Sequence, residues 1–217
     1  MKILLTLFLL FAYNISIAQN LKPPFSQLDV FELEWASDPQ ISPDGQSIIY
    51  LRNGMDIMED KRFRRIWMIN SDGANHRKLT PQDKNESLPR WSPDGKKIAY
   101  TSSSDHGSEI FIYWLETGQH ARISQLDRSP GNITWSPDGK WLAFSMKVPE
   151  EPPFLAKSPK KPNGANWAEA PRVTTRMKHE ADGSGFIEPG CYHYFVIPSE
   201  GGSPRQITSG NFQHQSL

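Results

Sequence analysis

A four-residue segment, Ser-Pro-Asp-Gly, occurs three times in this chain and constrains its fold more than any other feature. Each residue type suits a type I β-turn: Ser hydrogen-bonds the backbone at the first position, Pro presets φ at the second, Asp tolerates the third and Gly is favoured at the fourth. We therefore predict a structural turn role for Ser42, Pro43, Asp44, Gly45, Ser92, Pro93, Asp94, Gly95, Ser136, Pro137, Asp138 and Gly139.

The residues around the turns also repeat. An alternating apolar segment follows each turn. A second repeated phrase comes later in each repeat: it consists of a strand, a polar loop that contains Gly, and a short strand that ends in a hydroxyl residue. Because the turn serines are 50 and 44 residues apart, each repeat is long enough for one four-stranded propeller blade. The prediction is an all-β chain: an incomplete β-propeller of about three four-stranded antiparallel blades over 39–217, with blades at 39–80, 88–124 and 132–208.

The spacing also predicts what lies beyond the last residue. The hydroxyl residues Thr80 and Ser124 each precede the next turn serine by 12 residues. The same interval from Thr208 puts another such serine at about position 220, after Leu217. We therefore expect the chain to stop within a repeating array, as a fragment of a longer product.

The third blade is interrupted by a long insertion, 148–191. Its first part is rich in Pro and Lys, which is typical of an extended loop. Its second part predicts a strand at Arg172–Met177 and a turn at Asp182–Gly185. Long loops of this kind usually exist to contact something.

The chain starts with an apolar segment. Lys2, the apolar run from Ile3 to Ala12 and the small residues at Ser16-Ile17-Ala18 predict a cleaved secretory signal, 1–18. An uncleaved membrane anchor is the alternative, although the run is short for a hydrocarbon core of about 30 Å. We expect a secreted or periplasmic protein without stable membrane insertion after cleavage. A lead segment, 19–38, would contain a short helix capped by Ser26 or Asp29.

Composition excludes several functional classes. Lys plus Arg and Asp plus Glu both total 24, so no net field favours nucleic acid as a partner. The single cysteine, Cys191, excludes an internal disulfide framework and is expected to pack as a small apolar residue.

No stretch predicts a catalytic, cofactor or metal site. The chain lacks a Gly-x-Ser-x-Gly elbow, a His-Glu-x-x-His motif, a phosphate loop and a dinucleotide fingerprint. Glu150-Glu151 can be interpreted as an anchor for a substrate amine or as solvated charge. Trp91 and Trp135, which precede two turns, are expected to fill the wedges between blades. The histidines lack ligand spacing; they are His76, His106, His120, His179, His193 and His214.

Together, the lead at Leu28–Trp35, the Trp-Ser-Pro-Asp-Gly-Lys copies and the phrase Arg172–Arg176 before Asp182-Gly183 resemble the amino-terminal propeller of prolyl oligopeptidase family serine peptidases. The acylaminoacyl and dipeptidyl peptidase branch is the most similar. The resemblance implies a following α/β-hydrolase domain with a Ser-Asp-His triad and a propeller that restricts access to short peptides. No triad position maps onto this chain. The alternative is a TolB-like periplasmic scaffold that binds protein partners without catalysis.

Overall fold

The computed structural model describes residues 24–80, 84–105, 107–150, 159–168, 174, 176–183 and 185–214. The predicted signal lies outside these ranges, as do His106, Glu151, Ser184 and most of the strand predicted at Arg172–Met177. Of that segment, Thr174, Arg176 and Met177 are described and lie in no strand. No helix in the described ranges is long and apolar enough to cross a bilayer.

The described residues form a short 3₁₀ helix, Gln27–Glu32, and fourteen strands. The predicted lead helix is therefore confirmed, and Trp35 already belongs to a strand. The strands are β1 (Trp35–Ile41), β2 (Ser47–Asp56), β3 (Lys61–Asn70), β4 (Arg77–Lys78), β5 (Glu86–Trp91), β6 (Lys97–Ser104), β7 (Gly107–Trp114), β8 (His120–Arg122), β9 (Gly131–Trp135), β10 (Trp141–Pro149), β11 (Glu180–Ala181), β12 (Gly185–Phe186), β13 (Gly190–Pro198) and β14 (Arg205–Gln206).

Twelve of these strands form three consecutive four-stranded antiparallel sheets, as the repeats predicted. The first sheet has the order β1-β2-β3-β4, the second β5-β6-β7-β8 and the third β9-β10-β13-β14. The first strands of successive sheets lie side by side, β1 next to β5 and β5 next to β9. Strands β11 and β12 form a separate two-stranded ribbon around the turn at Asp182-Gly183.

By its contacts the chain divides into two compact units. Among the described residues, one unit comprises those up to Glu34 together with Gly54–Arg62, and the other comprises Trp35–Asn53 and those from Phe63 onward. In the first unit, the backbone N–H of Ser26 donates to Oδ2 of Asp29 at 2.6 Å and closes the start of the 3₁₀ helix. In the same unit, Oδ1 of Asp56 accepts from the N–H groups of Met58 and Glu59 and orders the tip of a hairpin.

The second unit holds two apolar cores, one between each pair of neighbouring sheets. The core between the first and second sheets contains Ile49, Leu51, Ile66, Met68, Leu79, Ile98, Tyr100, Phe111 and Tyr113. The core between the second and third sheets contains Ala99, Ile110, Ile112, Ile123, Leu126, Ile133, Leu142, Phe144, Met146, Phe195 and Ile197. Trp91 packs against the former and Trp135 against the latter, so their predicted wedge role is confirmed.

Candidate functional site

The three Ser-Pro-Asp-Gly turns have the same internal hydrogen bonds. In each one the Ser hydroxyl donates to the Asp carboxylate at 2.6 Å, and the Gly N–H donates to the Ser carbonyl oxygen at 2.9 Å. The Ser hydroxyl oxygen also accepts an N–H from the strand that follows, at 2.9 Å. These bonds leave the Ser and Asp side chains occupied within the turn, which supports a structural role for the motif.

One cavity, of about 570 Å³, opens at the turn end of the second and third sheets. Ser92, Asp94 and Asp138 lie in its wall, together with Lys97. Nζ of Lys97 is 2.6 Å from Oε1 of Glu200, so this cation is already neutralised. The wall of this cavity therefore consists largely of turn residues and of a lysine that is already paired, which makes it a weak candidate for a binding site.

The opposite end of the third sheet is the better candidate. The turn joins the first two strands of an antiparallel sheet, so the connection between the second and third strands must leave from the other end. In the third sheet that connection is the insertion. Strands β10 and β13 pair without a break from Trp141 opposite Pro198 to Pro149 opposite Gly190, which makes a firm stem beneath it. The N–H of Glu150 extends the stem by donating to the Pro189 carbonyl oxygen at 3.1 Å.

Gly190 closes this stem in a conformation that excludes other residues. Its φ is +143°, and a Cβ built on it would lie 2.4 Å from the Val148 carbonyl oxygen. A distance this short is a steric clash with backbone. The register of β10 and β13 at the base of the insertion therefore depends on glycine.

Two ion pairs tie the insertion to the sheet end. Nη2 of Arg176 is 2.9 Å from Oε2 of Glu150, and Nη2 of Arg128 is 2.9 Å from Oε1 of Glu188. Hydrogen bonding to Glu188 raises the pKa of Arg128 above its usual value. The side chains of both pairs are about half exposed, so they contribute little to stability and act mainly by orienting the loop.

Beside these ion pairs lies an open pocket of about 560 Å³. Its floor is apolar, which suits an apolar side chain of a ligand, and its rim is charged, with Arg128 already paired to Glu188. Nζ of Lys147 donates to the backbone carbonyl oxygen of Glu188, so the insertion also borders the rim. The floor is formed by Met146, Val148 and Phe195, and the rim by Asp127, Arg128 and Lys147.

The carboxylate pair considered as an amine anchor is only half described. Glu150 lies at the candidate site but is bound to Arg176, and Glu151 lies outside the described residues. An incoming ammonium group would have to displace the Arg176 guanidinium from Glu150.

Five of the six histidines, which lack ligand spacing in the sequence, lie in the described ranges. No group of three or more His, Cys, Asp and Glu side chains that could hold a metal ion is found there. His193 is buried, and its ring centroid is 5.3 Å from that of His214. Cys191 is also buried, as its predicted apolar role requires.

Polar groups that no sequence motif predicted also join neighbouring sheets. Arg90 of the second sheet reaches Asp38 of the first, with its Nη1 3.0 and 2.9 Å from the two carboxylate oxygens. Asp38, Leu88 and Asn132 all have φ near +50° and all lie four residues before a turn serine. The repeat thus includes an irregular residue in the first strand of each sheet, which spacing alone does not reveal because the three residue types differ.

Comparison with known proteins agrees with this geometry. Residues 55–155 match the family model described as TolB beta propeller domain. The matched segment begins in β2 and ends beyond β10, so part of each of the three sheets is similar to this domain. The propeller fold predicted from the turns, and its resemblance to peptidase propellers, are confirmed.

The relatives of this propeller include both peptidases and TolB proteins. Dipeptidyl-peptidase 5 of Porphyromonas gingivalis is 31% identical over 78 residues, which are 36% of this chain and 11% of that protein. Tol-Pal system protein TolB 1 of Novosphingobium aromaticivorans is 42% identical over 55 residues, 25% of this chain and 12% of that protein. The aligned parts thus span only about a tenth of these relatives.

A solved structure shows the same fold. The acylaminoacyl peptidase of Pyrococcus horikoshii superposes with a TM-score of 0.62 at 20% identity, over 82% of this chain and 25% of that one. At this identity the likeness concerns the architecture of the propeller alone.

Proposed function

We propose that this chain is the substrate-gating propeller portion of a secreted serine peptidase that acts on short peptides, of the acylaminoacyl or dipeptidyl peptidase type. The observation that carries the proposal is the insertion of the third sheet, which two ion pairs hold beside an open pocket. The similarity to Dipeptidyl-peptidase 5 supports it.

The chemistry in this proposal belongs to another part of the polypeptide. An α/β-hydrolase domain would supply the Ser-Asp-His triad, and the propeller would limit which peptides reach it. Short peptides are therefore the expected partners. The apolar start of the chain, with small residues at Ser16-Ile17-Ala18, supports secretion or export to a periplasm.

The gating role can be tested with Arg176→Ala in the intact polypeptide that carries this propeller. Loss of the bond to Glu150 frees the insertion, so we expect kcat/KM to change differently for short and long peptides. Labelling of the active serine by a fluorophosphonate should not change, because the triad is untouched. Lys140→Ala is the matched control, since Lys140 is an exposed cation 4.0 Å from Asp138 at the other end of the sheet.

Two results would contradict the proposal. The first is an intact polypeptide that neither cleaves aminoacyl or dipeptidyl chromogenic substrates nor reacts with the fluorophosphonate. The second is an Arg176→Ala variant with the same length preference as the parent and the Lys140→Ala control.

The alternative is a TolB-like scaffold that binds protein partners and catalyses nothing. The match to TolB 1, with its higher identity over a shorter segment, favours it. A scaffold should show no hydrolysis and no labelling at any substrate length. Hydrolysis that is lost when the labelled serine is replaced would exclude this alternative.

A further inference from the structure

The dipeptide Asn-Gly occurs twice in this chain, at Asn53-Gly54 and at Asn163-Gly164. An asparagine that precedes glycine can lose its side-chain nitrogen, because the next backbone nitrogen attacks the carboxamide carbon. Glycine favours this attack, since it has no Cβ to shield its nitrogen and its backbone bends freely toward the carboxamide. The fold decides whether each asparagine can reach the geometry of attack.

Asn53 is held away from this reaction. It lies in β2 opposite Trp35 of β1, and it is only 5% exposed. Its Nδ2 donates to the carbonyl oxygens of Trp35 and Leu51, at 3.0 and 3.2 Å, and to Oγ of Ser37 at 2.9 Å. Three acceptors around this nitrogen fix the carboxamide. Attack would require these bonds to break and the strand pair to open, so the intact fold protects Asn53.

Asn163 is in the opposite situation. It lies in the insertion next to Gly164, and both residues are exposed. The N–H of Ala165 donates to the Pro162 carbonyl oxygen at 3.2 Å, and φ is +78° at Gly164 but not positive at Asn163. This combination is typical of a type II β-turn with Asn163 and Gly164 at its centre. The hydrogen bond of the turn uses the Ala165 N–H, so it does not engage the Gly164 nitrogen that would attack.

Little in the described structure restrains this turn or opposes the charge that forms. Beyond its chain neighbours, no described atom lies within 4 Å of the place that a Cβ on Gly164 would take. The Gly164 amide must lose its proton to attack, and the ionisable residues of 159–168, Lys160 and Lys161, are both basic and exposed. Positive charge nearby favours an anionic nitrogen and also the carboxylate that the reaction leaves.

We propose that Asn163 is a site of spontaneous deamidation and that Asn53 is protected from it by the fold. The Gly164 nitrogen gives up its proton and bonds to Cγ of Asn163. The bond from Cγ to Nδ2 then breaks, and the side-chain nitrogen takes up a proton and leaves as ammonia. Water opens the resulting cyclic imide at either carbonyl carbon, which yields aspartate or isoaspartate at position 163. Water is the co-reactant, and the inference does not rest on the proposed peptidase function.

Deamidation changes the insertion in two ways. Both products place a carboxylate two residues after Lys161, where the parent side chain is neutral. In isoaspartate the main chain also runs through the former side-chain carbonyl, so it gains a methylene group and cannot keep the type II turn. The insertion thus changes its charge, and in isoaspartate its backbone path, as the protein ages.

Peptide mapping by mass spectrometry tests the assignment in the intact polypeptide that carries this chain. The protein is kept folded in mildly alkaline buffer, because the attacking nitrogen must lose its proton. We expect the peptide with Asn163 to gain the mass difference between an amide and an acid over time, and an isoaspartyl methyltransferase to label part of the product. The peptide with Asn53 should stay unchanged. In guanidinium chloride both sites should convert at similar rates, since unfolding releases the Asn53 carboxamide.

Two matched controls accompany this measurement, and circular dichroism checks that the samples stay folded. Asn166 is exposed in the same segment but precedes Trp167, whose side chain hinders the attack, so Asn166 should keep its amide. Gly164→Ala should slow conversion at Asn163 severalfold, because a Cβ shields the attacking nitrogen and disfavours the positive φ of the turn.

Several results overturn the proposal. One is an Asn163 amide that survives in the folded protein, and another is conversion of Asn53 at the rate of Asn163 in that state. A product that contains aspartate without isoaspartate also overturns it, as does a Gly164→Ala variant that converts as fast as the parent. Either of the last two results would mean that the Gly164 nitrogen does not attack.

Discussion

Nε1 of Trp135 donates a hydrogen bond to the carbonyl oxygen of Arg90 at 3.1 Å, and Nε1 of Trp91 makes the equivalent bond to Gln40, also at 3.1 Å. Each tryptophan precedes a turn and reaches the residue two places before the previous turn serine. The second and third repeats therefore each include a tryptophan hydrogen bond that joins their sheet to the preceding sheet. The first sheet has Ile41 at this position, a residue without a donor, and its side chain is largely exposed.

We expect Trp135→Phe to lower the free energy of unfolding by about 1 kcal/mol, because the change removes the hydrogen bond and keeps an aromatic ring in the wedge. Trp141→Phe is the control. That side chain is considerably exposed, so its change should stay within about 0.5 kcal/mol. Urea unfolding followed by circular dichroism measures both. Equal effects of the two substitutions would show that the bond to Arg90 contributes nothing specific.

Gly190→Ala should destabilise the chain more than Gly183→Ala. Both positions have positive φ, which alone costs about 1 to 2 kcal/mol for a residue with a Cβ. Only at Gly190 does the added Cβ meet a backbone atom, the Val148 carbonyl oxygen, whereas nothing lies within 4 Å at Gly183. The midpoint of chemical unfolding provides the comparison. A smaller loss at Gly190 than at Gly183 would contradict the tight stem.

Glu86→Gln should alter how stability depends on pH. Burial raises the pKa of Glu86 above its usual value, with the hydrogen bond from the Ile66 N–H partly opposing the shift. The folded state then holds its proton to higher pH than the unfolded state. Stability from this group is present below the unfolded pKa and falls as pH rises through the folded pKa. Glutamine keeps an oxygen that can accept the Ile66 N–H, now 2.8 Å from Oε2, and it does not ionise.

The measurement is the free energy of unfolding of the parent and of Glu86→Gln from about pH 4 upward, the range that starts near the ordinary glutamate pKa. The parent should lose stability relative to the variant as pH rises. Glu200→Gln, at an exposed position, is the control and should run parallel to the parent. Parallel curves for the parent and Glu86→Gln would refute a raised pKa.

Asp94→Asn should alter the pH dependence of stability at low pH, with a sign opposite to that of Glu86→Gln. The Ser92 hydroxyl, and after it the Lys96 N–H, lower the pKa of Asp94 below its ordinary 3.8. Stability from this carboxylate is therefore present above the unfolded pKa and is lost as pH falls through the folded one. The variant should show a shallower loss of stability below about pH 4. If the variant loses stability at low pH as steeply as the parent, the hydrogen bonds from Ser92 and Lys96 do not favour the ionised form of Asp94.

Much of the architecture could be predicted because its signals are local. A turn depends on four adjacent residues, and a strand on the alternation beside it, so Ser92 to Gly95 and Ile98 to Tyr100 are recognisable without tertiary contacts. The wedge role of Trp91 and Trp135 followed from their fixed place in the repeat.

The ion pairs of the candidate site could not be predicted from the sequence. Arg128 and Glu188 are 60 positions apart, and neither belongs to a repeated phrase. Arg176 and Glu150 are 26 positions apart within the insertion, and neither belongs to a repeated phrase. Composition predicted an extended loop there but carried no information on which charges would meet.

By itself the sequence determined that this protein is a row of similar β-sheet units with a long insertion in the third, because short-range turn and strand preferences repeat along it. Only the tertiary structure decided which charges pair at the insertion and which carboxyl groups are buried between sheets. Those features depend on distances between residues far apart in the chain, and such distances are set when neighbouring sheets exclude water from the apolar surfaces between them.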